Sequence, residues 1–158
     1  MSDVTTIPVG EDYDVIVGRG VSSRVVSALP DGVARVLVVH GSDGMDEITL
    51  TGPTRCSELK DGVIRTYDID PSVYFGDPCA NADLAGGDPP ENAEITRGVL
   101  TGKITGPKRD IVLINGAASL LAANRAASLA DGIAQSAAAI DSGAAYEKLQ
   151  KLIEYSKM

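Results

Sequence analysis

Residues Arg109 to Asn124 carry Ile111-Val112-Leu113-Ile114 and then Ala117-Ala118, which leaves a helix there almost no polar face. A helix that is apolar nearly all round is buried, so this one is expected at the centre of the molecule, with Ile111, Ile114 and Leu121 in the core. Its neighbours read as helices too. Asp88 suits an N-cap, Pro89 the first helical position, and Glu91 lies three residues after the cap, so a helix is expected from there to about Thr101, stopped by Gly102. A third helix starts after Ser128, with Leu129, Ile133, Ala137 and Ile140 on one face. Ser142-Gly143 ends it and opens a fourth, striped by Tyr146, Leu149, Leu152 and Ile153. Aromatics make up only 4% of the chain, with no Trp and one Phe, so the core must be built from Val, Ile, Leu and Ala. The Ala-rich stretch from Ala117 to Ala145 suits close helix packing.

The first half reads as strands. Val4 to Val9 and Tyr13 to Gly18 flank Gly10-Glu11-Asp12 as a hairpin, with Pro8 placing the first strand at an edge. Val21 to Leu29 reads as a short helix ended by Pro30-Asp31-Gly32. Val33 to His40 contains the continuous apolar run Val36-Leu37-Val38-Val39, the pattern of a strand covered on both faces. Ile48 to Leu50 reads as a short β segment. Arg55 to Lys60 and Val63 to Ile69 flank Asp61-Gly62, a two-residue hairpin signal. Pro71 to Asp83 reads as irregular. At 158 residues the expectation is a single α/β domain over residues 1–158, with a mixed β-sheet and helices concentrated in the C-terminal half. The sheet should include Tyr13 to Gly18, Val33 to His40 and the Asp61-Gly62 hairpin.

A net charge of −8 argues against nucleic acid as a partner, since phosphate binding needs concentrated Lys and Arg. No apolar run reaches membrane-spanning length, and Met1 to Thr6 lacks the basic and apolar regions of a secretory signal. A cytoplasmic location is expected, and there Cys56 and Cys79 should be free thiols, a disulfide being the minor alternative. Two cysteines and one histidine are too few for a cysteine-based metal site.

The chemistry-bearing candidate is Asp46-Glu47. The pair follows the apolar strand and a glycine-containing loop, Gly41 to Met45. Adjacent carboxylates offer hard oxygen ligands, which suit Mg²⁺ because that ion takes its remaining ligands from water and phosphate. The bland reading of an Asp-Glu dipeptide is a solvated acidic turn. Asp43 is a candidate helper to the pair. His40, the only histidine, could be a general base near pH 7. A packed residue at the loop entrance is the favoured reading.

The runs Arg35-Val36-Leu37-Val38-Val39-His40-Gly41-Ser42-Asp43-Gly44-Met45-Asp46-Glu47, Thr49-Leu50-Thr51-Gly52-Pro53-Thr54 and Gly86-Gly87-Asp88-Pro89-Pro90-Glu91-Asn92-Ala93 together resemble the C-terminal part of anthranilate phosphoribosyltransferases, over about residues 33–158. The resemblance implies pentosyl transfer from phosphoribosyl pyrophosphate to anthranilate in tryptophan biosynthesis. It also implies that Asp46 and Glu47 hold the Mg²⁺ associated with the donor pyrophosphate. Gly86-Gly87-Asp88 does not match the family's Gly-Thr-Gly-Gly-Asp phosphate loop but a later segment, and Asp88 is better explained as a helix cap.

Gly-Thr-Gly-Gly-Asp and Lys-His-Gly-Asn segments and a basic anthranilate-binding helix, which the resemblance would require further N-terminal, do not occur here. Thr5-Thr6-Ile7-Pro8-Val9 and Tyr13-Asp14-Val15-Ile16-Val17-Gly18-Arg19-Gly20 look like the start of 3-dehydroquinate synthase, which would make the chain a chimera joined near Gly32 to Val36. The resulting expectation is an incomplete relative, inactive alone, binding Mg²⁺ and phosphoribosyl pyrophosphate weakly. Self-association through exposed apolar surface is also expected. The alternative is a non-catalytic structural or binding module.

Overall fold

The computed structural model describes residues 4–9, 13–18 and 33–158. The chain divides into two compact units, Met1–Val33 and Ala34–Met158. The first contains an antiparallel ribbon of β1 (Val4–Val9) and β2 (Tyr13–Gly18), with Val4 opposite Gly18 and Val9 opposite Tyr13. Both strands of a two-stranded ribbon are edges, which suits Pro8. The expected turn Gly10-Glu11-Asp12 and the helix Val21 to Leu29 with its Pro30-Asp31-Gly32 stop lie outside the described residues.

The second unit opens with β3 (Arg35–Gly41), β4 (Thr54–Lys60) and β5 (Val63–Ile69), antiparallel in that order. Asp61 and Gly62 between β4 and β5 have φ of 52° and 75°, the left-handed pair that a two-residue hairpin requires. The α/β class and the concentration of helices in the C-terminal half hold. The single mixed sheet does not: the described strands form two separate antiparallel sheets. Hairpin connections give antiparallel neighbours.

The apolar run of β3 is also not covered on both faces. Leu37 and Val39 pack on the core, while Val38 is 55% exposed. Successive strand residues point to opposite sides, so Val38, His40 and their neighbours Ser57 and Arg55 on β4 share the outer face. Ile48 to Leu50 is not a strand. It is irregular backbone, yet Ile48 is 0% and Leu50 4% exposed.

The stretch from Pro71 to Asp83 contains two single-turn helices, α1 (Ser72–Phe75) and α2 (Asn81–Leu84). Four longer helices follow: α3 (Pro89–Leu100), α4 (Pro107–Ala122), α5 (Leu129–Asp141) and α6 (Ala144–Tyr155). The caps are those the residue types dictate. The Asp88 carboxylate accepts from the Glu91 N–H at 2.9 Å and the Ser128 hydroxyl from the Asp131 N–H at 3.2 Å. Gly102 follows α3 at φ 72°.

Helix α4 lies between two apolar clusters. Ile114, Ala117 and Leu121 meet Ile48, Leu50, Cys56 and Ile69 on the sheet side, with Leu129 from α5. Leu113 meets Val99 of α3 and Ile140 of α5. The expected burial is found for Ile114 and Leu121, while Ile111 is half-buried and Val112 is 41% exposed. On α6, Tyr146, Leu149 and Ile153 are half-buried and Leu152 is exposed, so its stripe is narrower than expected. Small side chains let α4 and α5 touch: a Cβ on Gly132 would stand 2.7 Å from the Ala117 Cα.

The guanidinium of Arg35 braces the sheet against α4. Its Nε donates to Glu58 at 2.7 Å, and a terminal nitrogen donates at 3.0 Å to the Leu121 carbonyl near the helix C-terminus, which also accepts the Asn124 N–H at 3.1 Å. The Tyr67 hydroxyl donates to the other Glu58 oxygen at 3.0 Å. Burial alone would raise the Glu58 carboxyl, but the hydrogen bonds from Arg35 and Tyr67 and the Arg35 charge hold it below its ordinary value. Cys56 and Cys79 are free thiols, both pushed up by burial. No helix among the described residues is long and apolar enough to cross a membrane.

Candidate functional site

Asp46 and Glu47 sit in the loop that joins β3 to β4. The loop is tied at its base. Gly41 pairs with Thr54 in the ladder, and the Ser42 N–H donates to the Pro53 carbonyl at 3.0 Å. Its turn is closed by two bonds: the Gly41 N–H to the Met45 carbonyl at 2.9 Å and the Gly44 N–H to the Gly41 carbonyl at 3.0 Å. Gly44 has φ 96°, which a residue with a side chain rarely adopts.

Asp43 organises this loop from within. One carboxylate oxygen accepts from the Thr49 and Thr51 hydroxyls, each at 2.7 Å, and the other from the Met45 N–H at 3.1 Å. The Thr49 bond, helped by those from Thr51 and Met45, lowers the Asp43 carboxyl below its ordinary value against a smaller effect of burial. Both oxygens are engaged, so Asp43 is a structural anchor of the loop and is already committed as an acceptor. Thr49 is fully buried, and its own N–H donates to the Thr54 hydroxyl at 3.0 Å.

Sequence reasoning missed Asn115. It stands on α4, where the apolar pattern drew attention to its neighbours. Its side-chain oxygen accepts from the Ile48 N–H at 2.9 Å and its nitrogen donates to the Ile48 carbonyl at 2.9 Å. The residue next to Glu47 is thereby held from the central helix. An Asn set directly after the apolar run Ile111 to Ile114 was the available signal, because an amide taken out of water needs partners.

With the loop so held, Asp46 and Glu47 are exposed side by side at its surface. The Glu47 carboxyl is raised above its ordinary value, first by burial and then by the negative charges of Asp46 and Asp43. A dication would neutralise that field. Among the described residues no group of three or more His, Cys, Asp or Glu converges on one point. The donor set therefore fits Mg²⁺ that keeps water and phosphate oxygens, and does not fit an ion needing an all-protein cage. His40 is exposed on the outer sheet face, not packed at the loop entrance.

The other segments singled out in the sequence lie elsewhere. The Gly87 N–H donates to the Asn92 side-chain oxygen at 2.9 Å, and the Asn92 amide nitrogen donates back to the Gly87 carbonyl at 2.9 Å. With Asp88 capping α3, that stretch is committed to starting a helix. A larger cavity of about 510 Å³ lies among Leu84, Ile95, Val99, Lys108, Ile111 and Val112, and no residue of the acidic loop lines it. The Lys108 ammonium at its rim donates to the Ala85 carbonyl.

Comparison with known proteins places this loop in context. A family model described as the glycosyl transferase family, a/b domain, matches residues 19–146. The anthranilate phosphoribosyltransferase of Desulfosudis oleivorans is 51% identical over 126 residues, which cover 80% of this chain and 37% of that protein. That of Syntrophotalea carbinolica is 45% identical, covering 96% of this chain and 44% of that protein. Among solved structures, the anthranilate phosphoribosyltransferase of Thermus thermophilus superposes with a TM-score of 0.69 at 34% identity, over 78% of this chain and 36% of that one. The Saccharomyces cerevisiae enzyme, in complex with phosphoribosyl pyrophosphate and Mg, gives 0.66 at 28% identity, over 75% and 34%. The chain thus spans less than half the length of these relatives. A family match over most of its residues, with the same fold in the solved relatives, makes this chain a member of the glycosyl transferase family, in its α/β domain, homologous to the anthranilate phosphoribosyltransferases.

Proposed function

We propose that this chain carries the metal-binding corner of a phosphoribosyl donor site, with Asp46 and Glu47 as ligands to a Mg²⁺ ion that also contacts the donor's pyrophosphate. The observation that carries this reading is the exposed carboxylate pair on a loop anchored from beneath, in a homologue of an enzyme solved with phosphoribosyl pyrophosphate and Mg. The activity class is pentosyl transfer to anthranilate, a step of tryptophan biosynthesis. When bound, the ion would neutralise charge on the departing pyrophosphate. The contribution of this chain's own residues is to hold two carboxylates at one surface point. Asp43, Thr49 and Thr51 shape the loop, and the tie between Ser42 and Pro53 closes it.

The donor is a dense polyanion, and the chain carries a net charge of −8. Bringing the two together needs local cations or aligned amides beyond the acidic pair. The chain taken alone is therefore expected to bind Mg²⁺ and donor weakly and to show no turnover. Calorimetry of Mg²⁺ with phosphoribosyl pyrophosphate, on the wild type and an Asp46→Ala, Glu47→Ala double variant, tests this. Weak binding abolished in the double variant is expected. Tight donor binding that survives the double substitution removes the metal reading, and measurable consumption of anthranilate by the isolated chain removes the inactivity reading.

A single ancestry for the chain is supported over a junction of two families. The family match begins at residue 19, ahead of the expected joint at Gly32 to Val36, and the Syntrophotalea protein aligns over 96% of the chain. The exposed outer sheet face supports self-association as a further part of the reading.

A further inference from the structure

We propose that Asn115 is the positioning residue of the acidic pair, its side-chain amide gripping both backbone groups of Ile48 so that α4 sets where Asp46 and Glu47 stand. The inference rests on the reading of those two residues as cation ligands.

The geometry is that of a strand partner supplied by one side chain. The Asn115 oxygen takes the Ile48 N–H at 2.9 Å, and its nitrogen gives one hydrogen to the Ile48 carbonyl at 2.9 Å and the other to the Ile111 carbonyl at 3.0 Å. Those partners determine which way the amide points, because the flipped form would set NH₂ against the Ile48 N–H. Ile48 is fully buried and lies in irregular backbone, so its polar groups have no ladder to satisfy them. Asn115 takes the place of that ladder. Glu47 is covalently next to the gripped residue, and the helix carrying Asn115 is anchored in both apolar clusters through Ile114 and Leu113. The pair therefore inherits its position from a helix anchored in the core of the unit. Asp, Ser, Leu or Ala at residue 115 would each lose at least part of the grip.

The test uses Mn²⁺ alone as the probe, on the full chain, read by NMR. Substoichiometric Mn²⁺ broadens backbone signals close to it even when binding is weak. In the wild type the amides of Asp46 and Glu47 should broaden, and an Asp46→Asn, Glu47→Gln variant should abolish this. Asn115→Ala should weaken the apparent Mn²⁺ affinity by about tenfold or more, the scale seen when a partner that orients a metal ligand is removed. Leu121→Ala, which opens the same helix elsewhere, should leave the broadening as in the wild type. Amide hydrogen exchange of the wild type supplies a reading that needs no variant: the Ile48 N–H should be protected as strongly as the core of α4. An unprotected Ile48 amide overturns the proposal even if Asn115→Ala fails to fold. Broadening that is equal in the wild type and a folded Asn115→Ala overturns it while leaving the ligand reading intact. No broadening in the wild type removes the ligand reading and the positioning role together.

Discussion

Gly41 leaves no space for a side chain. A Cβ there would stand 2.6 Å from an Asp43 carboxylate oxygen and 3.1 Å from the Thr49 methyl. Asp43 would have to swing away, loosening the bonds that shape the loop. Gly41→Ala is expected to cost about 1–3 kcal/mol, the range for overpacking a filled site, read as a lower urea midpoint. An unchanged midpoint would show that the loop yields freely. Thr49→Val keeps the shape of a fully buried residue but removes its hydroxyl, which donates to Asp43 and accepts the Thr51 N–H at 3.1 Å. A loss of about 1–2 kcal/mol is expected from that buried hydrogen bonding, again by urea denaturation. At this scale the sequence revealed donors and acceptors but not their pairing. Asp46-Glu47 could be singled out from the sequence because adjacent carboxylates are hard oxygen donors. The loop-shaping role of Asp43 was not legible, because its three donors, two of them hydroxyls further along the loop, are joined to it only by the folded turn.

The longer elements were legible because their signals are local. Asp88 and Ser128 cap the helices that follow, and Asp61-Gly62 makes the β4–β5 turn. The contacts between elements were not. Gly132 on α5 meets the backbone of Ala117 on α4, where an added Cβ would stand 2.7 Å from a Cα atom that cannot rotate aside. Gly132→Ala should raise intrinsic helix propensity yet lower stability by about 1–3 kcal/mol, and thermal melting decides the sign. Arg35 and Glu58 form the other joint, with side chains 8% and 13% exposed. Arg35→Met would leave the Glu58 carboxylate unpaired in a mostly buried position, at a cost of about 3 kcal/mol near neutral pH. The Glu58 carboxyl is lowered from 4.5 in the folded protein, so its contribution is present above pH 4.5 and is lost as pH falls through the lowered value. The difference between wild type and Arg35→Met should accordingly shrink in acid. A gap that stays constant down to low pH would mean that Arg35 acts through packing or the Leu121 carbonyl alone.

For the molecule as a whole, the open side of the β3–β4–β5 sheet is the expectation that failed and the surface that now matters. Val38 and Ile64, 55% and 71% exposed, lie on that face, with half-buried Val36 and Leu59 paired in register beside them. Light scattering should show mass rising with protein concentration, and a Val38→Lys, Ile64→Lys double variant should suppress the rise. A clean monomer at high concentration would count against self-association. By itself the sequence determined what depends on neighbours along the chain: α/β class, the caps that start α3 and α5, the Asp61-Gly62 hairpin turn and an aromatic-poor core. Tertiary structure alone decided which face of β3 is open, that Ile48 to Leu50 is buried without being a strand, and that Asn115 holds the loop bearing the pair. The physical reason is separation. Ile48 and Asn115 are 67 positions apart, and Arg35 and Leu121 are 86 apart. Periodicity and capping act over one or two turns of chain, whereas a backbone group in irregular structure takes whatever partner the packed core brings to it.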